Sequence, residues 1–404
     1  MRLLMSEFTE PMSGNHAKKT LKIAVVTATR AEYGLLSNLI EKMHQHPQIE
    51  LQLFVTGAHL LPSQGLTVEY IRKQSVPITE EVAIFEQDNQ IDVMTEVTAR
   101  ALAEFGKRFQ RYQPDGVIVL GDRYELLGIC SAALLSHVPI IHLHGGEITQ
   151  GAMDEAIRHA VTKMASLHFV AADEYRQRVI QMGETPKCVH QVGAIGLDVI
   201  QHMPSMALDT LQTELNTIFT KPLLVVTYHP VTWGETQGKQ ALKNLFTALE
   251  MIEGSTVIWT AANTDEDGEQ INAEVKKWVS QTHLNAHFFY SLGSQRYLNL
   301  LKQADAVVGN SSSGIIEAPA VGVATVNIGE RQAGRLMAKS IIQSSEKTED
   351  MSRAIEKALK FDDWQNNSLY GQGETAKQII KVLLKTDFKK LKTKQFYDLA
   401  AEHR

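Results

Sequence analysis

Two apolar runs, each closing on a loop that carries acids, constrain this chain more than any other feature: VIVL before GDRYE, and Val138 to Leu143 before HGGE. Short continuous runs without polar alternation read as strands buried on both faces, as in a parallel α/β sheet. Ligands in such sheets bind beyond the carboxyl ends of the strands, where Asp122 and Glu147 stand. Carboxylates there are either paired or functional. Asp154 and Glu155 follow in GAMDEAIRHA, so four acids gather at two successive strand ends. For Asp122 and Arg123 the structural alternative is a helix cap and a surface pair.

The same alternation runs through the whole sequence. LKIAVVT is a first strand ending at Thr27, followed by a loop with Arg30 and an amphipathic helix with Leu35, Leu36, Leu39, Ile40 and Met43 on its apolar face. That loop contains neither GxGxxG nor GxxxxGK[ST], so a dinucleotide site and a P-loop lack their best evidence. A guanidinium at a strand-to-helix turn suits a phosphate held with the helix N-terminus; plain solvent exposure is the alternative for Arg30. IELQLFVTGAHL supplies a second strand, and Thr56 to Gln64 is expected to be a loop able to move over a site. A long helix is expected from Asp92 to about Tyr112.

The pattern lapses between Gln201 and Met206 and restarts at KPLLVVTYHP. A chain of 404 residues exceeds what one core organises. The spacing therefore predicts two doubly wound α/β domains, residues 21–202 and 203–384, with a cleft between them. Residues 1–20 read as a disordered extension and not as a signal peptide. The basic tail 385–404 is expected to pack back onto the first domain.

Strand ends of the second half carry His229 in TYHP, Asn263 in TAANTDE, the GNSSSG loop and Arg331 in NIGERQAGR. Ser311, Ser312, Ser313 and Gly314 open a helix whose free N–H groups attract phosphate, although serines also serve as ordinary caps. Glu317, one turn further, is placed to bond ribose hydroxyls, or is simply a first-turn acid. Arg331 and Arg335 add positive charge for a diphosphate.

Any anionic ligand depends on such local groups, because the net charge is −6 with a pI near 6.2. That balance disfavours nucleic acid or an anionic membrane as partner. No run of about 18 apolar residues appears, and no repeat architecture is present. Cys130 and Cys188, the two cysteines, read as buried free thiols of a cytoplasmic protein.

TRAEYG, VTGAHL, GDRYE, HGGE, DEAIRHAVTKM, HP, GNSSSG and NIGERQAGR occur here in the order found in hydrolysing UDP-N-acetylglucosamine 2-epimerases of the sialic-acid and legionaminic-acid pathways. The resemblance spans about Lys22 to Lys381. It implies a GT-B-type fold with UDP on the second domain, no metal or nicotinamide cofactor, and a homodimer or homotetramer. It implies UDP contacts at Arg30, His229, Asn263, Ser311, Ser312, Glu317 and Arg331, with Arg123, Ser313 and Gly314 beside them, and catalytic acids at Asp122 and Asp154. Many relatives have Glu where this chain has His144, so that Glu's role passes here to His144 or Glu147. His142 is expected to be a core histidine on the same strand face as His144.

The implied reaction converts UDP-N-acetylglucosamine and water to N-acetylmannosamine and UDP, by anti elimination and syn hydration. The same chemistry on UDP-2,4-diacetamido-2,4,6-trideoxyglucose is the alternative. A metal-dependent hydrolase using His142, His144, Glu147 and His159 and a non-catalytic UDP-sugar sensor are the other classes. For Asp154, a structural pair with Arg158 at i, i+4 competes with catalysis.

Overall fold

Among the described residues every strand pairs in parallel with its neighbours, in two sheets. The computed structural model describes residues 20–86, 93–149, 153–229, 236–262, 266–364, 369–371 and 373–399. The first sheet comprises β1 (Leu21–Thr27), β2 (Ile49–Thr56), β3 (Glu80–Val82), β4 (Gly116–Leu120), β5 (Ile140–Leu143), β6 (Leu167–Val170) and β7 (Val189–Gln191), in spatial order β3-β2-β1-β4-β5-β6-β7. The second comprises β8 (Leu223–Thr227), β9 (Thr256–Thr260), β10 (Asn285–Phe289), β11 (Ala306–Gly309), β12 (Ala324–Ile328) and β13 (Ile341–Ser344), in order β10-β9-β8-β11-β12-β13. The short edge strands β3 and β13 lacked a readable apolar run.

Alternation along each central strand feeds two cores. In β1, Ile23 and Val25 enter one apolar cluster and Ala24 and Val26 another. In β8, Leu224 and Val226 face one cluster, whereas Leu223 and Val225 face another that also holds Tyr175 and Leu197 of the first half. The two domains thus share an apolar contact under the cleft.

The chain returns to the first domain before residue 385. Helix Thr375–Leu383 buries Ala376, Ile379 and Leu383 in the core beneath the first sheet. Phe388 joins them, and Lys394 reaches Glu184 at 2.8 Å.

Three local expectations need correction. The helix expected from Asp92 runs Met94–Tyr112. The Thr56 to Gln64 segment forms two 3-10 turns, anchored by His59, which is buried between the hydroxyls of Thr27 (3.2 Å) and Thr67 (2.7 Å). Cys130 is buried, but Cys188 is only partly so; both are free thiols. Among the described residues no helix is long and apolar enough to cross a membrane.

Candidate active site

Strand order reverses between β1 and β4 in the first sheet and between β8 and β11 in the second. Loops diverge at such switch points and leave a crevice. Arg30 and Asp122 follow the first pair of strands, His229 and Asn310 the second. Gly309 makes the second crossing possible: a Cβ there would lie 1.9 Å from the Thr227 carbonyl oxygen, at a backbone φ of +138°.

Two cavities lie in the cleft. One, about 550 Å³, runs between Arg30 and Gly34 of the first domain and Thr260, Tyr290 and Ser313 of the second. The other, about 290 Å³, is lined by Asp122, Arg123, His144, Glu147, Ser312 and Arg335 among others. Leu35, Gly196 and Glu317 border both, so the two cavities adjoin.

The smaller cavity is organised by Arg158, which sequence reasoning had noticed only as a partner for Asp154. Its buried guanidinium donates to the Asp122 carboxylate, to Glu155 (3.1 Å), to the Thr149 hydroxyl (2.8 Å) and to the Glu147 carbonyl (2.9 Å). The i, i+4 pair with Asp154 is not formed among the described residues: one turn from Arg158, Glu155 takes that place. Asp154 sits on the first turn of helix Met153–Met164 and does not border the cavity. Burial, reinforced by the nearby Asp122 charge, pushes its carboxyl above the ordinary range. Arg123 pairs with the fully buried Glu125 at 2.5 Å and not with Asp122, and still borders the cavity.

His144 does not share a strand face with His142. β5 ends at Leu143, and His144 turns off it with φ +64°. Its Nδ1 lies 2.6 Å from Glu147 Oε1, and its Nε2 accepts a long hydrogen bond from the Ile195 N–H at 3.3 Å. A backbone donor on Nε2 leaves the ring proton on Nδ1, where it donates to Glu147. Burial alone would raise the Glu147 carboxyl, but His144, Arg335 and Arg158 outweigh it and hold the group down to about 2. His142 is fully buried between the Thr162 hydroxyl (3.1 Å) and the Gly121 carbonyl (2.8 Å), and burial pushes it down to about 3. It is a satisfied core histidine.

Glu32, absent from the candidates, also borders this cavity. It closes a capping box, with its N–H on the Thr29 hydroxyl (3.3 Å) and Oε2 accepting from the Ala28 N–H (2.7 Å). Burial pushes its carboxyl up to about 8, despite those bonds. The TxxE spacing in TRAE was the signal for it.

On the second domain, Asn310 ties two of the candidate residues together. Its side chain accepts from the His229 N–H (2.7 Å) and donates to the His229 carbonyl (2.9 Å). Its own carbonyl accepts from Arg331 (3.0 Å) and Gln332 (2.8 Å). One buried asparagine therefore fixes two candidate UDP ligands relative to each other. Ser311 caps helix Ser312–Ala320, Ser312 faces the smaller cavity, and Ser313 bonds the Tyr297 hydroxyl (2.7 Å). Gly314 turns away: it packs on Thr325 of β12 and lines neither cavity. Burial raises the Glu317 carboxyl, and its Oε2 is sealed from solvent with no partner among the described residues. Arg30 is exposed at the mouth of the larger cavity. Asn263 lies outside the described residues.

The donors considered for a metal are not assembled: both nitrogens of His142 are used internally and His159 bonds Glu155 at 3.1 Å. Among the described residues no group of three or more His, Cys, Asp or Glu could hold an ion.

Residues 41–384 match the family model described as UDP-N-acetylglucosamine 2-epimerase. The chain belongs to the UDP-N-acetylglucosamine 2-epimerase family. It is similar to the GDP/UDP-N,N'-diacetylbacillosamine 2-epimerase (hydrolyzing) of Campylobacter jejuni, with 39% identity over 83% of this chain and 87% of that protein. A UDP-N-acetylglucosamine 2-epimerase of Neisseria meningitidis is 32% identical over 88% of this chain and 92% of that one. Among solved structures, a Neisseria meningitidis UDP-GlcNAc 2-epimerase bound to UDP-GlcNAc superposes with a TM-score of 0.77, covering 91% of this chain and all of that one at 15% identity. The fold is of the GT-B type.

For an epimerase of this family the cleft supplies two kinds of chemistry. The serine-loop helix N-terminus and the arginines offer preorganised positive potential for an anionic ligand. Asp122 and the His144–Glu147 pair, bordering one small cavity, offer groups that can hold or move a proton.

Proposed function

We propose that this protein is a hydrolysing 2-epimerase of a UDP-linked 2-acetamido sugar, releasing UDP and the free 2-epimeric sugar. The observation that carries this reading is the adjacency of the two cavities: the larger one and a small chamber bordered by Asp122, His144 and Glu147 from one domain and Arg335 from the other share Leu35, Gly196 and Glu317 as lining. A sugar held by its diphosphate would place C1 and C2 in that chamber.

The C2 proton is weakly acidic until the C1–O bond yields. Arg30, Arg331, His229 and the N–H groups opening helix Ser312–Ala320 would stabilise the departing diphosphate. As the C1–O bond breaks, the electrons of the C2–H bond form the C1–C2 double bond and the proton passes to a base. Water then adds its oxygen to C1 while C2 takes a proton on that same face, opposite the one the first proton left. Inversion at C2 therefore needs two proton-handling groups. We assign them to Asp122, held by Arg158, and His144, whose unprotonated Nε2 is fixed by the Nδ1 bond to Glu147. Asp154, near enough to Asp122 for that charge to raise its carboxyl, is the further acid of the pair's surroundings. Glu317 would hold the ribose.

UDP-N-acetylglucosamine was the sequence expectation for the substrate. The greater similarity to a diacetylbacillosamine epimerase favours UDP-2,4-diacetamido-2,4,6-trideoxyglucose, the same sugar under another name. Leu120, Ala194 and Ile316 support this choice, because they give the small cavity an apolar wall suited to a C6 methyl. UDP-N-acetylglucosamine is the second reading, carried by the similarity to the Neisseria enzyme.

Proton NMR of the protein with each sugar nucleotide in deuterated water tests the whole reading. A free 2-epimeric sugar with deuterium at C2, together with free UDP, is the expected result. A product still bearing UDP would make the enzyme non-hydrolysing. Unchanged spectra with bound UDP would leave a sensor.

A further inference from the structure

Leu336 is held through both its backbone polar groups by two buried tyrosines. Its N–H donates to the Tyr175 hydroxyl (3.4 Å), and its carbonyl accepts from the Tyr370 hydroxyl (3.0 Å). The two hydroxyls are 3.0 Å apart. Because the Tyr370 proton is spent on Leu336, Tyr175 is the donor between the two rings. Tyr175 lies on helix Asp173–Gln181 of the first domain, and the Tyr370 carbonyl accepts from Ala194 N–H at 2.7 Å. The clamp therefore ties a second-domain loop to the first domain.

Arg335 is the residue before Leu336, so the clamp sets where its side chain starts. Its Nη1 lies 3.8 Å from Glu147 Oε2. The other carboxylate oxygen of Glu147 takes His144, and Arg158 holds the Glu147 carbonyl. Four residues earlier on the same loop, Arg331 binds Asn310.

We propose that Arg335 is a positioning residue for the His144–Glu147 pair, supplied across the cleft by the second domain and aimed by the Tyr175–Tyr370 clamp on Leu336. The proposal rests on the role given to His144 above. A carboxylate turns about its last torsion unless both oxygens are engaged, and Glu147 is 5% exposed, with little water to replace a missing cation. With Arg335 seated, Oε1 stays on Nδ1 and Nε2 stays unprotonated. His142, Arg158, Tyr175, Tyr370 and Glu317 are the other titratable groups facing the pair. Unlike them, Arg335 shares the loop of Arg331.

The test uses Arg335→Gln, Arg335→Lys and Tyr370→Phe in the full chain. Long-range nitrogen–proton NMR of the His144 ring, recorded without substrate, should show a proton on Nδ1 in the wild type and a mixed tautomer in Arg335→Gln. With substrate, Arg335→Gln should lower kcat about a hundredfold, the scale of a misplaced catalytic group, while affinity for UDP is retained. Arg335→Lys should recover much of the loss, and Tyr370→Phe should show a smaller loss of the same kind. An unchanged His144 ring in Arg335→Gln overturns the proposal whatever happens to kcat. So does weakened UDP binding with unchanged kcat, which would make Arg335 a diphosphate ligand. If the wild type turns over neither sugar nucleotide, the functional reading fails on its own, and the ring spectrum still decides whether Arg335 aims His144.

Discussion

The buried guanidinium of Arg158 donates to the Asp122 carboxylate, joining helix Met153–Met164 to the loop after β4 at the centre of the cleft. The same guanidinium holds Thr149 and the Glu147 carbonyl, so one side chain ties together the segments beside the smaller cavity.

Substitutions at the two ends of this pair should therefore part. Asp122→Asn should lower turnover at least about a hundredfold, the scale of lost acid–base catalysis. Its fold should survive, because Arg158 keeps Glu155 and two further acceptors. Arg158→Met should cost about 3 kcal/mol or more, since it strips a buried network of its cation. Initial rates and urea unfolding of both variants separate the outcomes; equal loss of stability would reduce Asp122 to a structural ion.

Asp154→Asn should also lower turnover about a hundredfold, with little change in stability. The i, i+4 pair that would have made Asp154 structural is absent from the described residues, where Glu155 occupies Arg158. A shifted unfolding midpoint with wild-type turnover would take Asp154 out of the mechanism.

Much of this site was legible because strand ends in a parallel sheet are predictable from apolar runs. GDR, HGGE, GNSSSG and NIGER each stand where the sheets deliver a loop to the cleft. What the sequence could not reveal were the residues that act through three-dimensional partners. Arg158 looked like a neighbour of Asp154 because helical spacing admits both i+3 and i+4, and only the fold shows that Glu155 and Asp122 win. Asn310 was one letter in a serine-rich loop until His229 came to lie against it across two strands. His144 appeared to continue the β5 alternation, but its left-handed backbone breaks the period of two. Tyr175 and Tyr370 are 195 positions apart, and no local pattern links them.

Glu32→Gln should flatten the pH dependence of stability. The native carboxyl is raised to about 8 by burial, above the ordinary value near 4.5. Between those values the native state holds a proton that the unfolded chain has lost, so stability falls as pH rises through this window. Denaturant unfolding of wild type and variant at pH 5 and pH 8 checks the sign. An equal slope in both would mean that Glu32 is ionised in place.

Glu317→Gln should weaken discrimination between UDP and 2′-deoxy-UDP. Glu317 borders both cavities, where its carboxyl would meet a ribose hydroxyl. Losing one hydrogen bond to a charged group amounts to about tenfold in Kd for UDP, with little change for the deoxy nucleotide. Calorimetric titration of both ligands measures it; equal weakening for both would place Glu317 away from the sugar hydroxyls.

Lys394→Met should loosen helix Met153–Met164 from its far end. The ammonium donates to the carbonyls of Lys163 (2.5 Å) and Ala165 (2.6 Å), where helix Met153–Met164 terminates, and to Glu184 (2.8 Å). Glu184 also takes Lys163 (2.7 Å) and His168 (3.0 Å). Burial would raise its carboxyl, but these partners hold it down to about 2. A carboxyl depressed in the native state stabilises above its unfolded value and loses that contribution as pH falls toward the native one. The variant should therefore lose about 1–3 kcal/mol near neutral pH, with the gap to wild type narrowing between about pH 4.5 and pH 2. Because Asp154 rides on the opposite end of this helix, turnover should fall with the loss of the cap. Full turnover in a destabilised variant would show that the tail supports the first domain without steering its chemistry.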